Sequence, residues 1–353
     1  MDSIAHTMER ASRAGFGATH PMADSKLDSL LDRFDRQDRL ALARLITRVE
    51  NRSAEVSEVM ERIYARTGHA YTIGVTGAPG AGKSTLVNQL VVKYRAQNKL
   101  VAVLAIDPSS PFSGGAVLGD RVRMTDHYRD TGVYIRSLST RGHHGGLSRA
   151  AREIVKLLDA FGNDMIIIET VGVGQTELSV MDLADTTVVV TVPEGGDGVQ
   201  AMKAGLNEIA DLFVVNKADH DGADRIKAEL ELSVHLRPAV GWRPLVLMTQ
   251  ASNDIGIDAL VLAIARHADY QREHHDPARD PERRTREFIE VLTSQLEERT
   301  ERALKNGAGG AEHLLVSVRE GSVNPYSAAR RIIEDHAAIS RLLDEGGPKS
   351  VRA

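Results

Sequence analysis

The sequence contains no cysteine, which excludes disulfides, thiolate metal sites and cysteine nucleophiles. It also lacks a basic excess: 44 Lys and Arg against 49 Asp and Glu give a formal net charge of −5. We therefore expect no nucleic-acid partner. No apolar run approaches the roughly 20 residues that cross a membrane, and the N-terminal residues show no apolar signal-peptide core. The expectation is a cytoplasmic protein without a membrane partner.

The chain is long enough for one large domain with appendages, since it has 353 residues of which 42% are hydrophobic. Residues 1–24 show no periodicity and are predicted to form a mobile tail. Residues 25–69 place apolar side chains at helical spacing, which predicts an N-terminal helical segment. Residues 70–270 alternate short apolar runs with helical patterns. This region is predicted to be an α/β domain with a doubly wound, mostly parallel sheet.

Seven apolar runs are the candidate strands of that sheet. They span residues 71–76, 101–106, 132–136, 164–168, 186–192, 211–215 and 245–249. A polar stretch at 271–282 then marks a boundary, and residues 271–353 are predicted to form a C-terminal helical extension. One apolar face of its long helix fits either a dimerisation arm or packing on its own domain.

The residues directly after the first predicted strand form a complete Walker A loop. Glycines at 77, 80 and 82 let the backbone wrap closely around a phosphate at a helix N-terminus. Lys83 is expected to reach the β and γ phosphates, and Ser84 to hold Mg²⁺. The predicted phosphate-binding residues are Gly77, Ala78, Pro79, Gly80, Ala81, Gly82, Lys83, Ser84 and Thr85. The chain is therefore predicted to be a P-loop NTPase, whose catalysis rests on positioning and charge neutralisation.

A second motif, Asn216-Lys217-x-Asp219, follows the predicted strand at 211–215 and points to guanine as the base. The Asp219 carboxylate can accept hydrogen bonds from guanine N1–H and its exocyclic amine, which adenine does not offer. Adenine would leave a desolvated carboxylate unpaired, at a typical cost of ~2–5 kcal/mol. The alternative for Asp219 is a helix cap after an ordinary strand.

Two carboxylates end predicted strands and could complete a magnesium site with Ser84. Glu169 ends one strand and precedes Gly172, in the position of a γ-phosphate-binding glycine, and Asp107 ends another. Carboxylates at these strand ends can organise Mg²⁺ and its waters. For either acid alone, a helix cap or a turn former is an alternative interpretation.

Three long motifs resemble the MeaB/ArgK family, the GTPase chaperones of methylmalonyl-CoA mutase. They are DPSSPFSGGAVLGDRVRM at 107–124, ETVGVGQ at 169–175 and PEGGDGVQAMK at 193–203. The resemblance covers roughly Lys26 to Tyr326. It implies a G domain of the signal-recognition-particle, MinD and BioD class, and homodimers formed through the C-terminal arm. It also implies that GTP binding and hydrolysis gate adenosylcobalamin loading into the mutase and protect that enzyme, with no cobalamin bound by this chain.

The resemblance also assigns roles to individual positions. Asp107, Asp120 and Glu169 match the family's magnesium-site acids. Gln200 and Lys203 match a loop that transmits the nucleotide state to the mutase.

The loop after Gly172 predicts slow hydrolysis by the isolated chain. In small GTPases the water-orienting glutamine directly follows the glycine of the γ-phosphate loop, whereas Val173 follows it here and Gln175 comes later. Lys83 and Asp107 are the predicted catalytic residues, with Asp107 ordering the attacking water and Glu169 as an alternative for that role. A contact from the dimer mate or the mutase would then accelerate GTP hydrolysis.

Two other functions are weighed against this one. An ATP-dependent kinase linked to basic amino-acid transport is an old label in the family, but no phosphoacceptor pocket is recognisable. A nickel metallochaperone GTPase is disfavoured by the absent cysteines and the lack of a histidine-rich tract. The adjacent His143 and His144 are interpreted as solvent-exposed substitutions, because side chains on an extended loop point in opposite directions.

Overall fold

A seven-stranded sheet flanked by helices forms the first part of the computed structural model. The structure describes residues 25–107, 127, 129–139, 144–170, 181–193, 206–237, 241–274, 279–305 and 312–345. By its internal contacts the chain divides into two compact units, Met1–Tyr270 and Gln271–Ala353.

The first unit contains all seven strands. In chain order its elements are α1 (Ser25–Asp35), α2 (Arg39–Glu50), α3 (Val56–Ile63), β1 (Tyr71–Gly77), α4 (Lys83–Ala96), β2 (Val101–Asp107), β3 (Val133–Ser139), α5 (His144–Ala160), β4 (Met165–Thr170), β5 (Thr186–Thr191), α6 (Leu206–Ile209), β6 (Leu212–Val215), α7 (Ala223–His235), β7 (Leu245–Met248) and α8 (Ile257–Glu273).

The strands lie in the order β3-β2-β4-β1-β5-β6-β7, and each neighbouring pair is parallel. This confirms the predicted doubly wound α/β architecture, and all seven predicted strands are present. β1 is central, between β4 and β5, so the loop that follows it opens at the middle of the carboxyl edge. In open parallel sheets this is the position where ligands bind.

Both faces of the sheet are buried, as the continuous apolar runs of the strands require. Along β2, Val101 and Val103 pack into the core that also contains α4 and α8. The alternate residues Ala102, Leu104 and Ile106 pack into the opposite core, which contains α1, α2, α3 and α5. A smaller core beneath α6 and α7 covers β5 and β6 on that second side.

The N-terminal helices share a hydrophobic core with the sheet. Leu27, Leu30, Leu31 and Phe34 recur at i, i+3, i+4 and i+7 in α1, and all four are buried. Asp38 then caps α2 by accepting hydrogen bonds from the N–H groups of the second and third helical residues. Truncating a fully buried leucine in such a core typically costs ~2–5 kcal/mol. These helices therefore contribute to the stability of the folded α/β unit.

The second unit is helical in its described part. Its helices are α9 (Arg279–Lys305), α10 (Glu312–Arg319), α11 (Pro325–Glu334) and α12 (His336–Glu345). α9 begins inside the stretch at 271–282 that marked the boundary. Pro281 is tolerated there because the first-turn N–H groups of a helix have no intrahelical acceptor. Among the described helices, none is both long and apolar enough to cross a membrane.

Candidate functional site

The loop between β1 and α4 adopts a conformation that depends on its glycines. Gly80 and Gly82 have φ angles of 77° and 86°, which disfavour any residue with a Cβ. Gly77 also approaches β5 so closely that a Cβ there would lie 2.0 Å from the carbonyl oxygen of Val190. The N-terminus of α4 consequently opens onto the turn, as a phosphate-binding loop requires.

Lys83 is the first residue of α4, and its side chain is buried. Its Nζ donates hydrogen bonds to the carbonyl oxygens of Gly77 at 2.8 Å and Ala78 at 2.9 Å. The ammonium group of Lys83 is thus held against the phosphate loop. Phosphate oxygens can replace these carbonyl acceptors, so the lysine is positioned for a nucleotide polyphosphate.

Two of the predicted magnesium-site residues meet at the carboxyl edge of the sheet. The hydroxyl of Ser84 donates to Glu169 Oε1 at 2.6 Å, and the carboxylate of Glu169 is buried. β2 and β4 are neighbours, with Ile106 opposite Thr170, so Asp107 ends β2 at the same edge. A hydroxyl and a carboxylate are hard oxygen ligands of the kind that Mg²⁺ prefers, so the Ser84–Glu169 pair fits that ion.

Asn216 connects the phosphate loop to the loop after β7. Its Nδ2 donates to the Ala81 carbonyl at 2.9 Å, and its Oδ1 accepts from Thr249 Oγ1 at 3.0 Å and from the Ala251 N–H at 3.1 Å. Gly82 is required beside it, because a Cβ there would lie 2.4 Å from Asn216 Nδ2. The side chain that we predicted to bind guanine is therefore buried and acts as a brace between three segments.

The other two residues of this motif differ from Asn216 in their surroundings. Lys217 has a φ of 54°, in the left-handed region. The N–H of the next residue, Ala218, donates a hydrogen bond to the Thr249 carbonyl at 3.0 Å. Asp219 is 49% exposed, with His220 Nε2 at 3.6 Å from its Oδ2. Its carboxylate is thus accessible at the carboxyl edge of the sheet, where a base would be recognised.

The sequence interpretation missed Thr249 and Ala251. Both follow β7, whose carboxyl end lies beside that of β6, and both are buried against Asn216. The available signal was positional: residues after the strand that neighbours the Asn-Lys-x-Asp loop must meet that loop. A search by motif alone does not find them, because their contribution is one hydroxyl and one backbone N–H.

Several predicted residues lie outside the described part of the chain. They are Asp120, Gly172, Gln175, Gln200, Lys203 and His143. Their predicted roles therefore remain predictions. The expectation of an extended loop was wrong for His144, which is the first residue of α5.

A titratable pair, formed by the buried His267 and the partly exposed Asp211, lies at the opposite, amino edge of the sheet. His267 Nε2 lies 3.4 Å from Asp211 Oδ1, and His267 Nδ1 lies 2.7 Å from Thr186 Oγ1. Burial raises the pKa of Asp211 to about 6, against a hydrogen bond from the Thr187 N–H that lowers it. Burial lowers the pKa of His267 to about 4. The pair lies at the other end of the strands from the phosphate loop.

Comparison with known proteins identifies the family. A match to the family of the methylmalonyl-CoA mutase-associated GTPase MeaB spans residues 42–305. The chain belongs to the MeaB family. That span contains the phosphate loop, the Ser84–Glu169 contact and the Asn216 brace. Membership of this family supports GTPase activity and guanine-nucleotide binding at the level of the family.

Individual relatives agree with this assignment. A candidate GTPase of Pyrococcus abyssi is 45% identical over 314 residues, covering 88% of this chain and 96% of the relative. GTPase ArgK of Escherichia coli is 34% identical over 323 residues, covering 88% and 97%. The mouse mitochondrial methylmalonic aciduria type A homolog is 38% identical over 250 residues, covering 65% of this MeaB-family chain and 60% of the mouse protein.

A solved structure shares the fold. The crystal structure of an LAO/AO transport system kinase superimposes with a TM-score of 0.63 at 28% identity, covering 89% of this chain and 99% of that one. The α/β unit with its phosphate loop is therefore a P-loop NTPase fold, as the sequence predicted.

Proposed function

We propose that this protein is a GTP-hydrolysing chaperone for an adenosylcobalamin-dependent acyl-CoA mutase, with methylmalonyl-CoA mutase as the first client to test. It would gate cofactor loading and protect the mutase. The observation that carries the proposal is the joining of the phosphate loop to the guanine motif by Asn216 in a chain of the MeaB family. The family's name and the name of the mouse relative support the choice of client.

The exposed carboxylate of Asp219 is proposed to select guanine. A site that hydrogen-bonds specific donors rejects an analogue that lacks them by several kcal/mol, because the desolvated carboxylate is then left unpaired. Asp219→Asn should therefore weaken GTP binding and favour xanthosine triphosphate. Equal binding of ATP and GTP by the unaltered protein would refute the guanine assignment.

Ser84, Glu169 and Asp107 are proposed to hold Mg²⁺ at the carboxyl edge, with Asp120 as a further acid. The bound ion would neutralise charge on the β and γ phosphates. Lys83 binds the same phosphates and orients them, and Asp107 is proposed to order the attacking water. The Ser84–Glu169 hydrogen bond holds the two ligands 2.6 Å apart, so the first two ligands are preorganised.

The C-terminal extension is proposed to form a homodimer. Phe288, Leu292 and Leu296 recur along one face of α9 and are 63%, 44% and 41% exposed. An exposed apolar stripe of this kind is typical of a protein interface. Phe288→Glu with Leu292→Glu should shift the protein from dimer to monomer in sedimentation analysis, whereas an unchanged sedimentation coefficient would rule out this face.

Hydrolysis by the isolated chain is proposed to be slow and to be accelerated by the mutase. Gln175, Gln200 and Lys203 are the candidate residues for signalling the nucleotide state to the client. Partner stimulation in GTPases reaches ~10³–10⁵-fold. Steady-state phosphate release should therefore rise strongly when methylmalonyl-CoA mutase is added. Rapid turnover by the chain alone, unchanged by any candidate mutase, would refute the proposal.

The kinase alternative is represented by the solved structure whose title names an LAO/AO transport system kinase. Base preference separates the two functions, since that alternative requires ATP. Transfer of a phosphoryl group to a protein substrate rather than to water would support the kinase. The nickel alternative predicts stoichiometric nickel binding by the purified chain, which equilibrium dialysis measures.

A further inference from the structure

A basic groove lies where the N-terminal helices meet β3, the edge strand of the sheet. It has a volume of about 660 Å³, and its walls come from α1, α2 and β3. Five of its lining residues are cations: Lys26, Arg33, Arg44, Arg48 and Arg136. No acidic side chain is among the described residues that line it. In a chain with a net charge of −5, this is a local concentration of positive charge rather than a property of the whole surface.

Three of the arginines form ion pairs with carboxylates that do not line the groove. Arg33 Nε and Nη2 bind Asp38 Oδ2 at 2.8 and 2.7 Å. Arg136 Nε lies 3.1 Å from Glu50 Oε1, and its Nη2 lies 3.2 Å from Thr47 Oγ1.

Arg48 is anchored in the same way, since its Nη1 binds Glu55, whose carboxylate also accepts from Ser53 Oγ at 2.9 Å. A guanidinium has five N–H donors, and these contacts use only part of each set. The remaining donors of the three arginines are thus preoriented.

The other two cations have no such neutralising partner. Within the described residues, neither Lys26 nor Arg44 forms an ion pair. Three of the five charges are balanced by carboxylates, and two are not. The groove therefore keeps a net positive charge, which a ligand with at least two negative charges would balance.

We infer that the groove is a binding site for a small molecule that carries two or more phosphate groups, separate from the nucleotide site at the carboxyl edge. Several guanidinium forks that line one groove match the three acceptor oxygens of a phosphate better than they match a single carboxylate. The volume lies within the range of small-ligand sites. An acidic segment of a partner protein would instead need an extended channel, because its carboxylates are spread along a chain.

Calorimetric titration of the nucleotide-free full-length protein with inorganic pyrophosphate tests this inference. The phosphate loop also binds pyrophosphate, so the unaltered protein should show two sites per chain. Lys83→Ala should remove the loop site and leave the groove site. Adding Arg44→Gln or Lys26→Gln should weaken the remaining site at least about tenfold, since each replacement removes a charge-assisted contact. Both side chains are exposed, so folding should be unaffected.

Arg225→Gln is the matched control, because this arginine is 72% exposed on α7 and does not line the groove. It should leave pyrophosphate affinity unchanged. The inference is overturned if Lys83→Ala abolishes all pyrophosphate binding, or if Arg44→Gln and Arg225→Gln have equal effects. It is also overturned if poly-glutamate binds in an Arg44-dependent manner while pyrophosphate does not compete, since the ligand would then be an acidic protein segment.

A second arm identifies the source of the phosphate. Vesicles of phosphatidylcholine with phosphatidylinositol bisphosphate are sedimented with the protein, with and without Arg44→Gln. Arg44-dependent sedimentation that pyrophosphate reverses supports the site and assigns the ligand to a lipid headgroup. Pyrophosphate binding without sedimentation supports the site and assigns the ligand to a soluble molecule.

Discussion

Replacing Asn216 by alanine should destabilise the protein even in the absence of nucleotide. The substitution removes three hydrogen bonds, to the Ala81 carbonyl and from Thr249 Oγ1 and the Ala251 N–H. At ~0.5–1.5 kcal/mol each, the loss of the three bonds lowers the free energy of unfolding by about 1.5–4.5 kcal/mol. The side chain is 3% exposed, so water does not readily replace these contacts. Urea unfolding of the nucleotide-free protein measures the change.

Asp219→Ala is the control for that experiment, because it changes the same motif and leaves the three hydrogen bonds of Asn216 in place. Its carboxylate is 49% exposed, and such surface substitutions usually change stability by less than ~0.5 kcal/mol. Both variants should lose GTP affinity, but only Asn216→Ala should lose stability. A loss below about 1 kcal/mol for Asn216→Ala, or equal losses for the two variants, would contradict the assignment of Asn216 as a structural brace.

Three further predictions concern the phosphate loop, the proposed metal ligands and the His267–Asp211 pair. Gly77→Ala should prevent stable folding, because its Cβ would lie 2.0 Å from a backbone oxygen. Gly80→Ala should fold, because its Cβ would have nothing within 4 Å, and it should lose only the ~1–2 kcal/mol that a left-handed residue costs. Thermal unfolding compares the two variants. Ser84→Ala should raise the magnesium concentration needed for GTP hydrolysis while GDP affinity without magnesium stays unchanged, as fluorescent-nucleotide titration would record. Asp211→Asn should lose stability relative to the unaltered protein as the pH falls from 6 to 4. The folded-state pKa of Asp211 is raised to about 6, so the folded protein holds a proton that the unfolded chain has released, and lowering the pH stabilises it by up to about 3 kcal/mol. His267, whose pKa is lowered to about 4, acts with the opposite sign and is retained in both proteins. A pH-independent stability difference between the two proteins would refute this interpretation.

Local pattern was sufficient to predict the strands and the phosphate loop. Each strand is an apolar run of strand length, and parallel sheets buried on both faces select such runs. The glycines at 77, 80 and 82 were informative because backbone conformation and close approach require them.

Long-range packing could not be predicted from local sequence pattern in the same way. The α1 pattern of Leu27, Leu30, Leu31 and Phe34 predicts a helix with one buried face, but not that this face meets the sheet and α5. The brace at Asn216 was also missed, since it depends on the adjacency of β6 and β7 and on a single backbone N–H. Strand order and side-chain contacts between distant segments are properties of the folded chain, and no local periodicity encodes them.

The basic groove illustrates the same point. Lys26, Arg44 and Arg136 lie on three different elements, and their spacing in sequence forms no motif. The fold brings them to one cavity, where their charges add. Sequence totals concealed this cluster, because the chain as a whole is acidic.

The central claim is that the bound guanine nucleotide determines association with an adenosylcobalamin-dependent mutase. Size-exclusion chromatography of the full-length protein with methylmalonyl-CoA mutase, in GDP and in a nonhydrolysable GTP analogue, measures this directly. We expect a complex whose stability or stoichiometry differs between the two nucleotides, and the loss of that difference in Asp219→Asn. Absence of a complex in either nucleotide, or one that is identical in both, would contradict it.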